Sequence, residues 1–195
     1  MKNLSVYSSI SLLITTLTIA NITYGAEPYA GFSLGQIKVG DFCDDFSSIP
    51  GVSCEDTDTS FKVFGGAKIN KNFAVEGSYI DFGELVAKDN FDSFTAEITG
   101  FNISAVGIIP VSDSVDIFGK VGMLFWDLKL ALSGTFNDSL SEDGNDISFG
   151  FGANFDVNDT FAIRAEFEKF NSIGKESTTE ESSVALLSLG AVFKF

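Results

Sequence analysis

Apolar and polar side chains alternate one by one along most of the chain after its first 25 residues. The clearest case begins at Phe161, where every odd position up to 167 is apolar while Arg164, Glu166 and Glu168 place charge on the even positions. A period of two that separates an apolar face from a charged one is typical of a half-buried β-strand and does not fit a helix. The pattern therefore predicts a strand in this segment.

Seven further segments show the same alternation, so that eight strands are predicted in all. They cover residues 29–37, 61–69, 73–79, 101–109, 115–125, 147–157, 161–168 and 185–195. Three of the connections are short and rich in Asn, Asp and Ser, as tight turns are, at 70–72, 111–114 and 157–160. The other connections are long and acidic and are predicted as loops, at 38–59, 83–92, 127–146 and 171–183.

Two kinds of closed barrel fit this alternation. A soluble barrel of the lipocalin type turns its apolar face inward, whereas a membrane barrel turns it toward lipid. The apolar face carries large Phe and Leu side chains in nearly every strand, and the polar face combines charged residues with glycines that make room in a narrow interior: Gly66, Gly122, Gly150 and Gly152. We therefore predict an all-β fold, an eight-stranded antiparallel transmembrane β-barrel of up-and-down topology with short periplasmic turns and long extracellular loops.

The first 25 residues follow a different pattern. Lys2 precedes a short apolar run at residues 12–20, and Thr23 and Gly25 place small residues at the −3 and −1 positions of a cleavage site. This order is typical of a secretory signal peptide, and the apolar run is well short of the ~20 residues that a spanning helix needs. We expect a signal peptide over residues 1–25 and an outer-membrane β-barrel domain over residues 26–195.

Cys43 and Cys54 are the only cysteines of the chain. Export to an oxidising compartment favours a disulfide between them, which would close a short polar segment of the predicted loop at 38–59. Such a bond would stabilise mainly the loop that it closes.

The composition excludes several functions. The 195 residues include 27 Asp and Glu, 12 Lys and Arg and no His, for a net charge of −15. Nucleic-acid binding is not expected, because phosphates are neutralised by clustered Lys and Arg. Without His there is no Ser-His-Asp triad and no His-ligated metal, so we expect no enzyme, no catalytic residue, no cofactor and no metal site. One acidic run could hold divalent cations, but a solvated loop is the simpler reading: Asp41, Asp44, Asp45, Glu55, Asp56 and Asp58.

Several stretches resemble, in order along the chain, the OmpA-like family of eight-stranded outer-membrane barrels. They are PYAGFSLGQ at 28–36, FGGAKINKNFAVEGSYIDFGE at 64–84, VSDSVDIFGKVGMLFW at 111–126 and FGFGANFDVNDTFAIRAEFEKF at 149–170. The resemblance implies a non-catalytic integral protein of the cell outer membrane. Larger family members continue into a periplasmic domain that binds peptidoglycan; this chain stops at the barrel, so wall anchoring is not part of the expectation.

The resemblance also implies a lumen charge network. Glu76, Lys120 and Arg164 match family positions whose charges pair inside the barrel, and an Arg–Glu pair of this kind has been proposed to gate a small pore in the family. The alternation adds Glu166 and Glu168 to the same inner face. Filling the lumen with a paired, hydrogen-bonded network is the simpler role, because a buried charge is costly unless it is paired.

The chain ends in SLGAVFKF, which resembles the signal read by the outer-membrane assembly machinery, so Phe193 and Phe195 are expected to form an assembly signal. The expected partners are outer-membrane lipids, lipopolysaccharide and that machinery, and a host or surface ligand is unknown. The leading function is a structural envelope role with acidic loops at the cell surface. A surface adhesin or receptor acting through its loops, or a small gated pore, is the alternative.

Overall fold

The computed structural model describes residues 25–40, 53–55, 57–88, 93–133, 138–173 and 182–195. Eight long strands form one closed barrel: β1 Glu27–Val39, β2 Thr57–Asn70, β3 Phe73–Lys88, β4 Ser93–Ser112, β5 Val115–Ser133, β6 Asp138–Asn158, β7 Phe161–Ile173 and β8 Ser182–Lys194. Each pairs antiparallel with the next, and β8 closes the barrel against β1. The predicted eight-stranded, up-and-down antiparallel barrel is therefore confirmed. Within the described ranges, no helix is long and apolar enough to span a membrane.

Some sequence-based predictions fall on residues that the structure does not describe. The signal peptide lies almost wholly in residues 1–24, and Cys43 lies in residues 41–52. The signal peptide and the disulfide between Cys43 and Cys54 therefore remain predictions.

The strand register sets the tilt of the strands relative to the barrel axis. A row of paired residues that leaves β2 at Thr57 and passes once around the wall returns to β2 at Ala67, ten positions further along. A stagger of this size in eight strands requires strong strand tilt and leaves an interior just wide enough for side chains to fill.

The three short turns lie at one end of the barrel, which we call the turn end; the opposite end is the loop end. The turns are two residues long, at 71–72, 113–114 and 159–160. Asn70 Oδ1 accepts hydrogen bonds from the backbone N–H groups of Asn72 and Phe73, at 2.8 and 3.0 Å. Side-chain acceptors of this kind explain why Asn and Ser mark the predicted turns.

Outward side chains in the middle of the wall are apolar. On β5, for example, Val121, Met123 and Phe125 point outward and are 39–50% exposed, while Lys120 on the same strand is buried inside. The faces therefore have the orientation expected for a barrel whose outer wall meets lipid.

Toward the loop end the two faces exchange character. On β5 the inward positions pass from Lys120 to Trp126, while the outward positions pass from Phe125 to Asp127 and Lys129. In the part of the chain that the structure describes, fourteen buried apolar residues fill the barrel there, and we call them the loop-end core. They are Ile37, Val39, Ile80, Phe82, Leu85, Ala96, Ile98, Leu124, Trp126, Leu128, Phe170, Ile173, Val184 and Leu186.

The prediction of loops at 83–92 and 127–146 was wrong, because strands cover most of both segments. β3 continues to Lys88, β4 begins at Ser93, β5 continues to Ser133 and β6 begins at Asp138. Strand also extends into both ends of the predicted loops at 38–59 and 171–183. These strand segments project beyond the outward apolar band, and we call them the loop-end extension. Most of their outward residues are polar, so the acidic sequence was mistaken for loop.

A β-bulge explains why the continuation of β3 was not predicted from the sequence. Asp81 pairs with Thr99 and Glu84 with Glu97, so β3 carries one additional residue between these pairs. Gly83 adopts φ +82°, a left-handed conformation that suits glycine. The inward positions consequently change from even to odd numbers, and the period of two is interrupted in the sequence.

Candidate functional site

Among the described residues, six charged side chains meet inside the barrel, in a layer between its two ends. Three are cationic and three are anionic, and none is more than 6% exposed: Lys62, Glu76, Lys120, Arg164, Glu166 and Glu168. They come from inward positions of β2, β3, β5 and β7. We use the term lumen charge network for these six residues.

Glu166 and Glu168 share two ammonium groups. Lys62 Nζ, from β2, contacts Oε2 of both carboxylates. Lys120 Nζ, from β5, lies 2.6 Å from Oε1 of each. Two buried carboxylates on one strand repel each other, and nearby cations are needed to offset that repulsion. Here one lysine lies on each side of the pair.

Glu76 forms the second half of the network. Its Oε2 atom lies 2.6 Å from Arg164 Nη1 and accepts a hydrogen bond of 2.9 Å from Tyr29 Oη. Its Oε1 atom lies 3.5 Å from Lys120 Nζ. Lys120 therefore connects the Glu76–Arg164 pair to Glu166 and Glu168, and all six charges belong to one continuous network.

Aromatic rings surround Arg164. Its guanidinium carbon lies 4.5 Å from the centroid of the Phe64 ring, 4.8 Å from that of Phe118 and 5.6 Å from that of Tyr29. Its Nε–H group donates to Asn154 Oδ1 at 2.9 Å. Cation–π contacts and the fixed hydrogen bond hold the guanidinium against Glu76 and restrict other orientations.

These rings belong to a second buried apolar cluster, which we call the turn-end core. It consists of Tyr29, Phe64, Ala74, Val106, Ile108, Phe118, Ala162 and Val192. On β7, for example, the inward residues are, in order, Ala162, the charged Arg164, Glu166 and Glu168, and Phe170. The lumen charge network therefore lies between the turn-end core and the loop-end core.

Interior glycines make room for this network, as the sequence suggested. A Cβ atom at Gly150 would lie 2.9 Å from Cε of Lys120 and 3.2 Å from Cγ of Glu168. Any larger residue there would displace the side chains that compensate the carboxylates.

The structure brings together all five residues predicted for the lumen: Glu76, Lys120, Arg164, Glu166 and Glu168. Sequence reasoning missed Lys62, Tyr29 and Asn154 as their partners. The signal for Lys62 was present, because it lies on the polar face of the second predicted strand.

The other predicted sites lie elsewhere. Phe193 points outward on β8, with its ring centroid 5.5 Å from that of Phe161, and Phe195 is exposed beyond the strand end. The backbone N–H of Phe195 donates to the Pro28 carbonyl at 3.0 Å. Their role in assembly remains a prediction.

Within the acidic run, the structure describes the side chain of Asp58 alone. That carboxylate accepts hydrogen bonds from the backbone N–H groups of Thr59 and Glu84, at 2.7 and 2.6 Å. Among the described residues, no group of three or more acidic or cysteine side chains could hold a metal ion.

The curated relatives include outer membrane proteins of several bacteria. Outer membrane protein P5 of Haemophilus influenzae is 25% identical over 194 residues, which cover 92% of this chain and 55% of P5. Outer membrane protein A of Klebsiella pneumoniae is 28% identical over 137 residues, which cover 68% of this chain and 40% of that protein. The chain thus spans about half the length of the curated relatives it matches.

Solved structures share the fold. Neisserial surface protein A superposes with a TM-score of 0.63 at 17% identity, covering 88% of this chain and 100% of that one. Ail, the attachment invasion locus protein of Yersinia pestis, superposes with a TM-score of 0.54 at 18% identity, covering 87% and 99%.

The family model of the OmpA-like transmembrane domain matches residues 24–195, which confirms the resemblance seen in the sequence. The relatives are outer-membrane proteins, and the apolar outer wall of the barrel agrees with that location. The chain therefore belongs to the OmpA-like transmembrane domain family and is a β-barrel protein of the outer membrane.

Proposed function

We propose that the protein is a non-catalytic structural component of the outer membrane, with a filled lumen and with acidic loops held above the membrane surface. The observation that supports this role most directly is the lumen charge network, in which three cations and three anions pair with one another between two apolar cores. Charges that are already paired and buried are available neither to a substrate nor to a stream of ions.

The two apolar cores favour a filled barrel over a small gated pore. An ion that followed the lumen would have to cross the loop-end core, where Ile80, Phe82 and Leu124 are completely buried. Moving an ion into such an apolar layer carries a large desolvation cost. A gate in which Arg164 leaves Glu76 to pair with another buried carboxylate is also disfavoured. Glu166 and Glu168 are already compensated by Lys62 and Lys120.

The loop-end extension supports a display role. Beyond Phe125, its last outward aromatic residue, β5 continues from Asp127 to Ser133, roughly 20 Å along the strand. Asp127 and Lys129 face outward there, whereas Leu128 lies in the loop-end core and Leu130 packs against it. With the turn end in the periplasm, as in the family, this extension would raise the loops above the lipid headgroups on a rigid support.

The absence of His from the chain and the mutual pairing of the buried charges both support a role without catalysis. Acyl or peptide hydrolysis at a barrel surface needs a nucleophile activated by a positioned base. Inside the barrel, the carboxylates of Glu76, Glu166 and Glu168 are each compensated by Lys or Arg.

Complementation of a deletion strain distinguishes a structural role from an adhesin or receptor role. A strain lacking the protein would carry either the full chain or a variant in which residues 41–52 are replaced by a short Gly-Ser linker. We expect both to restore resistance of the envelope to detergent and bile salts, because the barrel is intact in each. If only the full chain restored the phenotype, and the phenotype were attachment to a surface or host cell, the loops would carry the function and the structural proposal would be wrong.

A further inference from the structure

Two buried hydroxyl groups in the middle of the barrel have no hydrogen-bond partner among the described residues. They belong to Ser33 on β1 and Ser188 on β8, which point into the lumen and are 2% and 3% exposed. A hydroxyl that leaves water without gaining a partner costs free energy, and most buried hydroxyls are bonded to protein or to ordered water. The two groups therefore point to a partner outside the polypeptide.

The strand register places both serines beside the ion pair between Lys62 and Glu166. Ser33 is opposite Lys62 in the β1–β2 ladder, and Ser188 is opposite Glu166 in the β7–β8 ladder. Because β1 and β8 are neighbours, the Lys62–Glu166 ion pair passes over the inner surface of these two strands. The serines thus lie between a charged contact in the lumen and the barrel wall.

The inner surface of β1 and β8 carries no large side chain at this level. Gly190 lies opposite Ser33, and Gly35 lies opposite Ser188. A glycine contributes no side-chain donor or acceptor, so neither hydroxyl can be satisfied by the side chain opposite it. The sequence leaves these two positions polar and small on both strands.

Apolar side chains border this polar patch on both sides. Toward the turn end, an ideal Cβ atom at Gly31 would lie 2.4 Å from Cζ of Phe64, a residue of the turn-end core. Toward the loop end, an ideal Cβ atom at Gly35 would lie 2.7 Å from Cδ1 of Leu186, a residue of the loop-end core. The patch is therefore enclosed between the two cores at the level of the lumen charge network.

Lys62 has one hydrogen-bond donor that its carboxylate partners do not use. An ammonium group has three N–H donors, and two of those of Lys62 are directed to the Oε2 atoms of Glu166 and Glu168. Among the described residues, no acceptor is found for the third. A ligand at this place would therefore accept from an ammonium group and bond to two hydroxyls.

We propose that a water molecule is bound between Ser33, Ser188 and Lys62, beside the lumen charge network. Water can accept from Lys62 Nζ and bond to both hydroxyls, and about three hydrogen bonds are typical of a buried water. An ion fits poorly, because the network already holds three cations and three anions and an additional buried charge would have no counter-charge. The inference concerns the interior of the barrel and does not depend on the proposed structural role.

Alanine variants test whether the hydroxyls share a ligand. The midpoint of urea unfolding in lipid vesicles is measured for the wild type, Ser33→Ala, Ser188→Ala and the double variant. Removing a hydroxyl that has no partner would raise the midpoint or leave it unchanged, because an unsatisfied buried group destabilises the folded state. We expect each single variant to lower the midpoint. The double variant should lower it by less than the sum of the two, because both hydroxyls bond to one water.

Ser60→Ala is the matched control. Its hydroxyl is equally buried but donates to the Asp81 carbonyl at 2.6 Å, so it already has a partner in the protein. We expect its effect on the midpoint to add to that of Ser188→Ala. A raised or unchanged midpoint in Ser33→Ala or Ser188→Ala would overturn the proposal, as would strict additivity of those two variants.

A crystal structure of the refolded protein locates the ligand directly. We expect a density peak within about 3.2 Å of both Ser33 Oγ and Ser188 Oγ, which is lost in the double variant and retained in Ser60→Ala. Crystals grown with bromide in place of chloride distinguish water from an anion. An anomalous bromide signal at this peak, or the lack of any peak between the two hydroxyls, would overturn the proposal.

Discussion

Lys62 on β2 and Glu168 on β7 lie 106 residues apart in the chain and form an ion pair in which neither side chain is more than 1% exposed. The two strands are not neighbours, since β1 and β8 separate them in the wall. The pair therefore spans the lumen and joins two parts of the wall that share no backbone hydrogen bonds. Because Lys120 contacts the same carboxylate from β5, Glu168 is held between two lysines.

Replacing Lys62 tests how much this cross-lumen contact stabilises the barrel. Lys62→Met leaves Glu166 and Glu168 with Lys120 alone, and we expect a loss of about 3–5 kcal/mol in the free energy of unfolding, or less if water enters the lumen. The measurement is urea unfolding in lipid vesicles, followed by fluorescence of Trp126, the only tryptophan of the chain.

Lys68→Met is the matched control for that prediction. Lys68 pairs with Asp116 at 3.1 Å near the turn end, where its side chain is 22% exposed, so we expect a loss of about 1 kcal/mol or less. Equal losses in the two variants would contradict a special role for Lys62.

Arg164 and Glu76 should be energetically coupled. Arg164→Gln alone leaves a buried carboxylate without its closest cation, and Glu76→Gln alone leaves a buried guanidinium. We expect the double variant to lose less than the sum of the two single variants, with a coupling of about 0.5–3 kcal/mol. Urea unfolding of the four proteins in vesicles measures it, and strictly additive losses would exclude the coupling.

The loop-end core should stabilise the barrel as the core of a soluble protein does. Phe82 is completely buried there and packs edge-on against Phe170 with ring centroids 5.0 Å apart. Phe82→Ala should cost about 3–5 kcal/mol. Phe125→Ala removes an outward ring that is 47% exposed, and it should cost clearly less in the same unfolding assay. A larger loss for Phe125→Ala would mean that the extension contributes little to stability.

Phe195 should matter for assembly more than for stability. We expect Phe195→Ser to lower the amount of folded protein in the outer membrane, because it alters the segment SLGAVFKF, which resembles the assembly signal. Phe42→Ser is the matched change in the predicted loop and should leave the yield unaltered. Folded protein is quantified as the species that migrates faster on gels before boiling, and equal yields of both variants would count against an assembly signal at Phe195.

The membrane-spanning part of the barrel could be predicted because its outward positions must be apolar where they meet lipid, so that charged residues there lie only on the inner face. The alternation between Phe161 and Glu168 records this directly. The loop-end extension could not be predicted in the same way, because its apolar residues, such as Trp126, lie inside and its outward residues resemble a loop. Gly83 added a second difficulty, since its bulge moves the inward positions of β3 by one residue.

The membership of the lumen charge network was predictable only in part. Parity places Arg164, Glu166 and Glu168 inside, but parity on one strand does not say which residues lie across the lumen. That depends on the closure of the sheet and on its ten-residue stagger, which bring Lys62 on β2 to Glu168 on β7. Cross-lumen partners therefore follow from the register of all eight strands together.

Single-channel recording in planar lipid bilayers tests the filled lumen most directly. The protein is folded into vesicles, its folded state is checked by faster migration before boiling, and the vesicles are fused with the bilayer beside a known porin as positive control. We expect no discrete conductance steps, because two apolar cores and a paired charge network fill the lumen. Reproducible channels from the folded wild-type protein, abolished when the barrel is unfolded by boiling, would contradict this expectation.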